Sequence, residues 1–270
     1  MPIASDHPLH ASDEPVIVGM LHIPPLPGSP GNSQPLEAIQ SFVLRDAEAW
    51  LEAGVRLLML ENFGDTPFFP SAVPPATTAQ VTAIASAVTS QLQEAVLGIN
   101  VLRNDGCAAL SVAHAVGAAF IRVNVLCGAR LTDQGIVHGI AHDLLRLRSQ
   151  LQGEDIAVLA DVDVKHSSPL AERPLEAEVA DLIHRGHADG LIVSGDGTGL
   201  PTNSEHVQQV SDAAGQTPIF VGSGVSAANA SELSRTASGL IVGTAAKKEG
   251  DVSAPVDAVR VREIVAATHQ

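Results

Sequence analysis

The stretch AVLADVDVKHSSP, residues 157–169, decides how this chain is read. Ala157 to Ala160 have the unbroken apolar character of a strand buried on both faces. Asp161, Asp163 and Lys165 then follow at alternate positions, and side chains two apart on a strand share one face. Three charged groups on one face of a buried strand oppose folding unless partners face them. A closed barrel supplies such partners, because alternate residues of every strand point into one interior.

Working outward, apolar runs of the same kind recur at 16–21, 55–60, 96–102, 120–126, 156–164, 190–194, 218–221 and 239–242. Between them the spacing predicts helices over 36–53, 77–94, 105–116, 136–151, 175–185, 204–213, 227–234 and 255–267. Runs rich in Val, Ile and Leu that alternate with helices imply parallel strands with helices outside. Eight such units are the content of a (β/α)8 TIM barrel; a doubly wound open sheet is the alternative. One barrel domain is expected over 15–270, with 1–14 a loose tail that lacks the features of a signal peptide.

The polar residues of the other runs lie where a barrel brings strand ends together. Glu61 and Asn62 close the second run, Asn100, Arg103 and Asn104 the third, and Arg122 and Asn124 share a face of the fourth. The alternation predicts that Glu61, Asn100, Arg122, Asn124, Asp161, Asp163 and Lys165 converge at the upper interior. His22 ends the first run and reaches the mouth, and His166 stands at a loop start as a candidate proton carrier. Buried ion pairs stabilise poorly compared with apolar packing, so a cluster of them reads as a site. In that site Lys165 is a general acid, a Schiff-base amine or a fixed cation. Asp161, Asp163 and Glu61 are candidate general bases. Three inward carboxylates against two inward bases leave an excess that a divalent cation such as Mg2+, or a single proton, would balance.

The last runs end in glycine. SGDGTG occupies 194–199, GSG 222–224, and Gly243 and Thr244 follow the eighth run. Glycine lets a backbone approach a ligand, and free N–H groups at a loop start bind anions. Phosphate seats after the seventh and eighth strands are common in barrels. Gly195, Thr198, Gly199, Gly222, Ser223, Gly224, Gly243 and Thr244 are therefore the expected phosphate cradle.

Other features carry less. His138 and His142 are four apart in a predicted helix, a spacing that suits a solvated face better than a metal pair. Cys107 and Cys127 suggest no disulfide framework. The loops HIPPLPGSPGNSQ and ENFGDTPFFPSAVPP follow the first two strands and would build the mouth, where Phe63, Phe68 and Phe69 form a lid, a wall or a subunit contact. A formal net charge of −15 disfavours nucleic acid, and no apolar run is long enough to span a membrane. A cytoplasmic location and a homo-oligomer are expected.

The segments GMLHIPPLPGSP, LENFGDTPF, GINVLRND, FIRVNVLCGA, TDQG, LADVDVKHSSPLA, SGDGTG and VGSGV together resemble the BtpA/SgcQ family over about Gly19 to Gly243. The resemblance implies a phosphate-binding (β/α)8 TIM barrel, similar to the barrels that bind ribulose phosphates. One branch of the family is named for photosystem I accumulation, and another is encoded near sugar-transport genes. The expected function is isomerase, epimerase or lyase chemistry on a small phosphorylated metabolite, a sugar phosphate or nucleotide. The alternatives are a non-catalytic assembly factor for a membrane complex such as photosystem I, and a phosphate-ligand sensor.

Overall fold

The computed structural model describes residues 3–10, 14–195 and 202–269. Eight strands close into a wholly parallel barrel: β1 (Val16–His22), β2 (Leu57–Glu61), β3 (Val96–Asn100), β4 (Phe120–Val123), β5 (Ala157–Asp161), β6 (Gly190–Ser194), β7 (Ile219–Gly222) and β8 (Gly239–Val242). Each pairs with its neighbour in the chain, and β8 returns to β1 with Val16 opposite Gly239. Closure leaves no sheet edge and excludes the open-sheet alternative.

The helices lie outside: α1 (Leu36–Glu52), α2 (Pro75–Gln91), α3 (Gly106–Val116), α4 (Ala141–Gln150), α5 (Leu175–Ala180), α6 (Ser204–Ala214), α7 (Ala230–Leu233) and α8 (Ala258–Thr268). A π-helical turn, Asp181–Arg185, continues α5. No described helix is long and apolar enough to cross a membrane.

Two apolar layers follow from the period of two along each strand. Outward residues such as Leu58, Leu60, Val158 and Val193 pack against the helices. Inward residues Val18, Met20, Leu57, Met59, Phe120, Leu159, Ile192, Phe220 and Ile241 fill the lower interior. The two large rings are accommodated by glycine. A Cβ on Gly98 would lie 2.1 Å from the Phe120 ring, and one on Gly239 would lie 2.5 Å from Phe220. Outside, Trp50 of α1 lies flat on Gly19 of β1, and its indole Nε1 donates to the Met20 carbonyl at 3.2 Å.

Continuing the inward series by one step reaches His22, Glu61, Asn100, Asp161, Ser194 and Gly222. The register sets His22 beside Glu61 and Glu61 beside Asn100. On the other side, Asp161 stands beside Ile192 and Gly222 beside Ser194. One polar ring thus caps an apolar plug.

Two expectations fail here. Residues 1–14 were expected to be loose, but of the described part Leu9 is fully buried in the floor of the barrel and the His7 ring hydrogen-bonds the Ala119 carbonyl at 3.1 Å. The barrel floor exposes apolar ends that Leu9 covers. The helix expected over 136–151 begins only at Ala141. Gly135, at φ 93°, turns the chain back instead, and Gly135–His138 pairs antiparallel with Ala129–Thr132, which also pairs with Ser167–Pro169. Ile136, Val137 and His138 alternate exposed, buried, exposed, which is a strand period. His138 and His142 therefore share no helix face, and the metal-pair spacing has no structural basis.

Candidate active site

The polar ring opens into a cavity of about 440 Å³ at the carboxyl ends of the strands. His22, Glu61, Arg122 and Lys165 line one side, and Ser223, Gly224, Gly243 and Thr244 the other. The two groups expected to face each other do share one space.

Asp161 is the fixed point of the charged side. Its side chain is fully buried and accepts from Arg122 Nε at 2.8 Å, Arg122 Nη2 at 2.9 Å and Asn124 Nδ2 at 2.9 Å. A bidentate guanidinium with a third donor fixes a carboxylate in place. Burial works to lower the Arg122 pKa, but the Asp161 charge and hydrogen bonds outweigh it and hold the guanidinium above its ordinary range. Asp161 thereby sets the position of Arg122, whose Nη1 stands 4.0 Å from Glu61 Oε2. The same Glu61 oxygen accepts from Asn100 Nδ2 at 2.7 Å. All five residues are more than nine-tenths buried.

Lys165 comes from the segment after β5, not from the strand. Its carbonyl accepts from Arg103 Nη2 at 2.6 Å, which anchors the backbone beneath the ammonium group. Burial first, and Arg122 second, lower the Lys165 pKa; Glu61 and Asp161 pull it up only in part. His22 is neutral: burial, with the charges of Lys247, Lys165 and Arg122, lowers its pKa to about 3. Its Nδ1 is buried without a hydrogen-bond partner among the described residues. Phe63 packs against the imidazole with ring centroids 4.8 Å apart. Gly243 leaves room for the ring, since a Cβ there would lie 3.0 Å from His22 Cε1.

The glycine side is a turn under constraint. Ser223 and Gly224 are both left-handed, at φ 75° and 66°. A serine in that region is sparsely populated and persists only where its surroundings over-determine it. Thr202 Oγ1 donates to the carbonyls of Gly222 and Ser223, each at 3.1 Å, and Asn229 Nδ2 donates to the Gly224 carbonyl at 3.0 Å. With the carbonyls turned outward and held, the N–H groups of Gly224 and Val225 donate to no carbonyl among the described residues. Gly222 itself is buried below the turn, against Ser194 Oγ. Thr198 and Gly199 lie outside the described residues.

Three predicted members lie elsewhere. β5 ends at Asp161, so the alternation that would aim Asp163 inward stops there. The Asp163 side chain is 45% exposed and pairs with Arg130 at 2.7 Å and with His206 Nε2 at 3.5 Å. Asp163, His166 and Gly195 border a neighbouring cleft of about 490 Å³, which Lys165 also reaches. His166 has a left-handed backbone at φ 57°. With Asp163 gone, Glu61 and Asp161 face Arg122 and Lys165 in equal number, and the charge argument for Mg2+ lapses. Among the described residues no group of three His, Cys, Asp or Glu side chains is placed to hold a metal ion.

Sequence reasoning missed the residues that hold the site. Thr202 and Asn229 sit in ordinary loop composition, and only Asn229, just ahead of a short helix, carries a local signal. Arg103 and Asn62 were visible as polar strand ends. Their work is to bind backbone, as where Asn62 Oδ1 accepts from Leu102 N at 2.7 Å.

Fold and site together define a (β/α)8 barrel with a charged cavity facing a glycine turn at the carboxyl ends of its strands. More particularly, the chain belongs to the BtpA family, whose model matches residues 13–270. It is 43% identical to the photosystem I biogenesis protein BtpA of Synechocystis over 251 residues, 93% of this chain and 87% of that protein. It is likewise 43% identical to an uncharacterized protein of Thermococcus kodakarensis over 249 residues, 92% of this chain and 93% of that one. Among solved structures, native KDPGal superposes with a TM-score of 0.59 at 13% identity, covering 100% of this chain and 98% of the other, a likeness of fold.

Proposed function

We propose that the chain is an enzyme acting on a small phosphorylated metabolite, a sugar phosphate or nucleotide, by acid–base isomerase or lyase-type chemistry. One observation carries this reading: Glu61, Arg122, Lys165 and His22 line the same cavity as the turn of Ser223 and Gly224. The turn offers N–H groups to a phosphate. Arg122 and Lys165 stabilise negative charge that develops on the rest of the substrate, and Glu61 moves its proton. The neutral imidazole of His22 can accept or donate a hydrogen bond without adding charge.

A thermal-shift screen with inorganic phosphate, sugar phosphates and nucleotides, with and without magnesium, tests the reading. A ligand held at 100 times its Kd should stabilise the fold by about 2.7 kcal/mol. The reading fails if no phosphorylated compound raises the melting temperature, or if Ser223→Pro binds as well as the natural protein.

A second reading, an assembly factor, has one observation in its favour besides the name of the Synechocystis relative. Leu131 and Ile136 face each other across the antiparallel ribbon and are 50% and 49% exposed. It requires that Leu131→Ser with Ile136→Ser abolish complementation of a Synechocystis strain lacking its relative, while Lys165→Arg leaves complementation intact.

A further inference from the structure

Most ionisable groups around the cavity are already engaged. Asp161 accepts three hydrogen bonds, Arg122 spends Nε and Nη2 on it, and Glu61 Oε2 accepts from Asn100. Lys165 is different. Among the described residues its ammonium closes no ion pair, although its backbone is anchored through Arg103. A primary amine is thus positioned in the cavity and left unconsumed. Burial and the Arg122 charge hold its pKa below the ordinary lysine range, which favours the nucleophilic neutral form. Glu61 Oε1 is equally unengaged on the same wall, and the anion-accepting turn stands opposite.

Building on the reading of this cavity as the seat of a phosphorylated metabolite, we propose that Lys165 forms a Schiff base with a carbonyl carbon of that metabolite, and that the chain makes or breaks the bond between the α- and β-carbons beside that carbonyl. The Lys165 ammonium gives a proton to solvent water, the free amine attacks the carbonyl carbon, and the resulting carbinolamine takes a proton back from solvent as it loses water to leave an iminium. Glu61 takes the proton of the hydroxyl on the β-carbon, the far atom of the bond to be broken. That bond cleaves, the hydroxyl carbon leaves as an aldehyde, and the electron pair flows to the iminium nitrogen to give an enamine. Glu61 returns the proton to the enamine carbon, and water hydrolyses the new iminium to release the second carbonyl product and the free amine. No oxidant or reductant takes part. Arg122 stays charged throughout, held by Asp161.

The lysine content makes the test clean. The chain has Lys165, Lys247 and Lys248 and no other lysine. Lys247 is fully buried in an ion pair with Asp46, and Lys248 lies in a turn outside the cavity lining. The full chain is incubated with dihydroxyacetone phosphate or glycolaldehyde phosphate, reduced with sodium borohydride, digested and mapped by mass spectrometry. The expected result is a reduced adduct on Lys165, diminished by excess inorganic phosphate and lost in Lys165→Arg, whose folding is checked by the thermal melt of Trp50 fluorescence. An adduct that survives Lys165→Arg, or that phosphate does not diminish, overturns the proposal. So does the absence of any adduct. If phosphate still stabilises the fold in that last case, the phosphorylated-metabolite reading stands and the covalent step alone is wrong. If phosphate has no effect either, both fall.

Discussion

His22 shows how a single side chain can be charted by acid. Its pKa is about 3 in the folded chain, against 6.5 for an unperturbed histidine, because burial and the nearby Lys247, Lys165 and Arg122 oppose a further positive charge. Between those two values the unfolded chain takes up a proton that the folded chain refuses. Stability is therefore unaffected above pH 6.5 and falls as pH drops from 6.5 toward 3, with a total on the order of 5 kcal/mol at 1.36 kcal/mol per pH unit. His22→Gln cannot take that proton in either state. Urea unfolding followed through Trp50, the one tryptophan, should show natural protein and variant diverging in slope between pH 6.5 and 4, with the natural protein losing more. Parallel loss in both would assign the acid sensitivity to other groups.

At the scale of elements, the strands work because small residues oppose large ones. Gly98→Ala on β3 would drive a methyl into the Phe120 ring of β4, and overpacking of that kind costs about 1–3 kcal/mol. Combining it with Phe120→Leu should recover part of the loss, a coupling that a double-mutant cycle in urea would measure. Strictly additive losses would mean that the ring swings clear. Sequence reading succeeds along the strands themselves. Strand positions, the inward layer and the ring members His22, Glu61, Asn100, Arg122 and Asp161 all follow from a period of two, which a strand enforces mechanically. Legibility stops where the strand stops. Asp163 and Lys165 continue the alternation in the sequence, but past Asp161 the backbone is no longer extended, so Asp163 turns out to Arg130 while Lys165 still reaches the cavity. Gly135 likewise reverses a segment whose apolar spacing suits helix or strand about equally. Thr202 was invisible because its partners are carbonyls twenty and twenty-one residues away, and any hydroxyl in a loop looks the same in sequence; Asn229 signals a helix start but not its bond to the Gly224 carbonyl five residues back.

For the whole molecule, a closed barrel must join its two ends, and here a buried ion pair takes part in that closure. Lys247, wholly buried after β8, pairs with Asp46 of α1 across 201 residues of sequence. Asp46 Oδ1 also accepts from the Val256 backbone at 2.8 Å, just ahead of α8, and the Lys247 ammonium stands 5.5 Å from the centre of the Phe42 ring. The first and last helices thus share one charged clasp. Such a pair gains little over an apolar pair of similar volume, because both charges must leave water, yet removing one partner strands the other. Asp46→Leu should then cost about 3–5 kcal/mol, because it leaves a buried ammonium without its counter-charge. Lys247→Met leaves Asp46 charged and should cost a similar amount. The double exchange Asp46→Leu with Lys247→Met removes both charges and should recover most of the loss, apart from the hydrogen bond to Val256 N, worth about 1 kcal/mol. Urea denaturation of the four proteins, read on the same tryptophan, decides it. If the double variant is as unstable as the sum of the singles, the two side chains are not coupled, and each stabilises the seam independently of the other's charge.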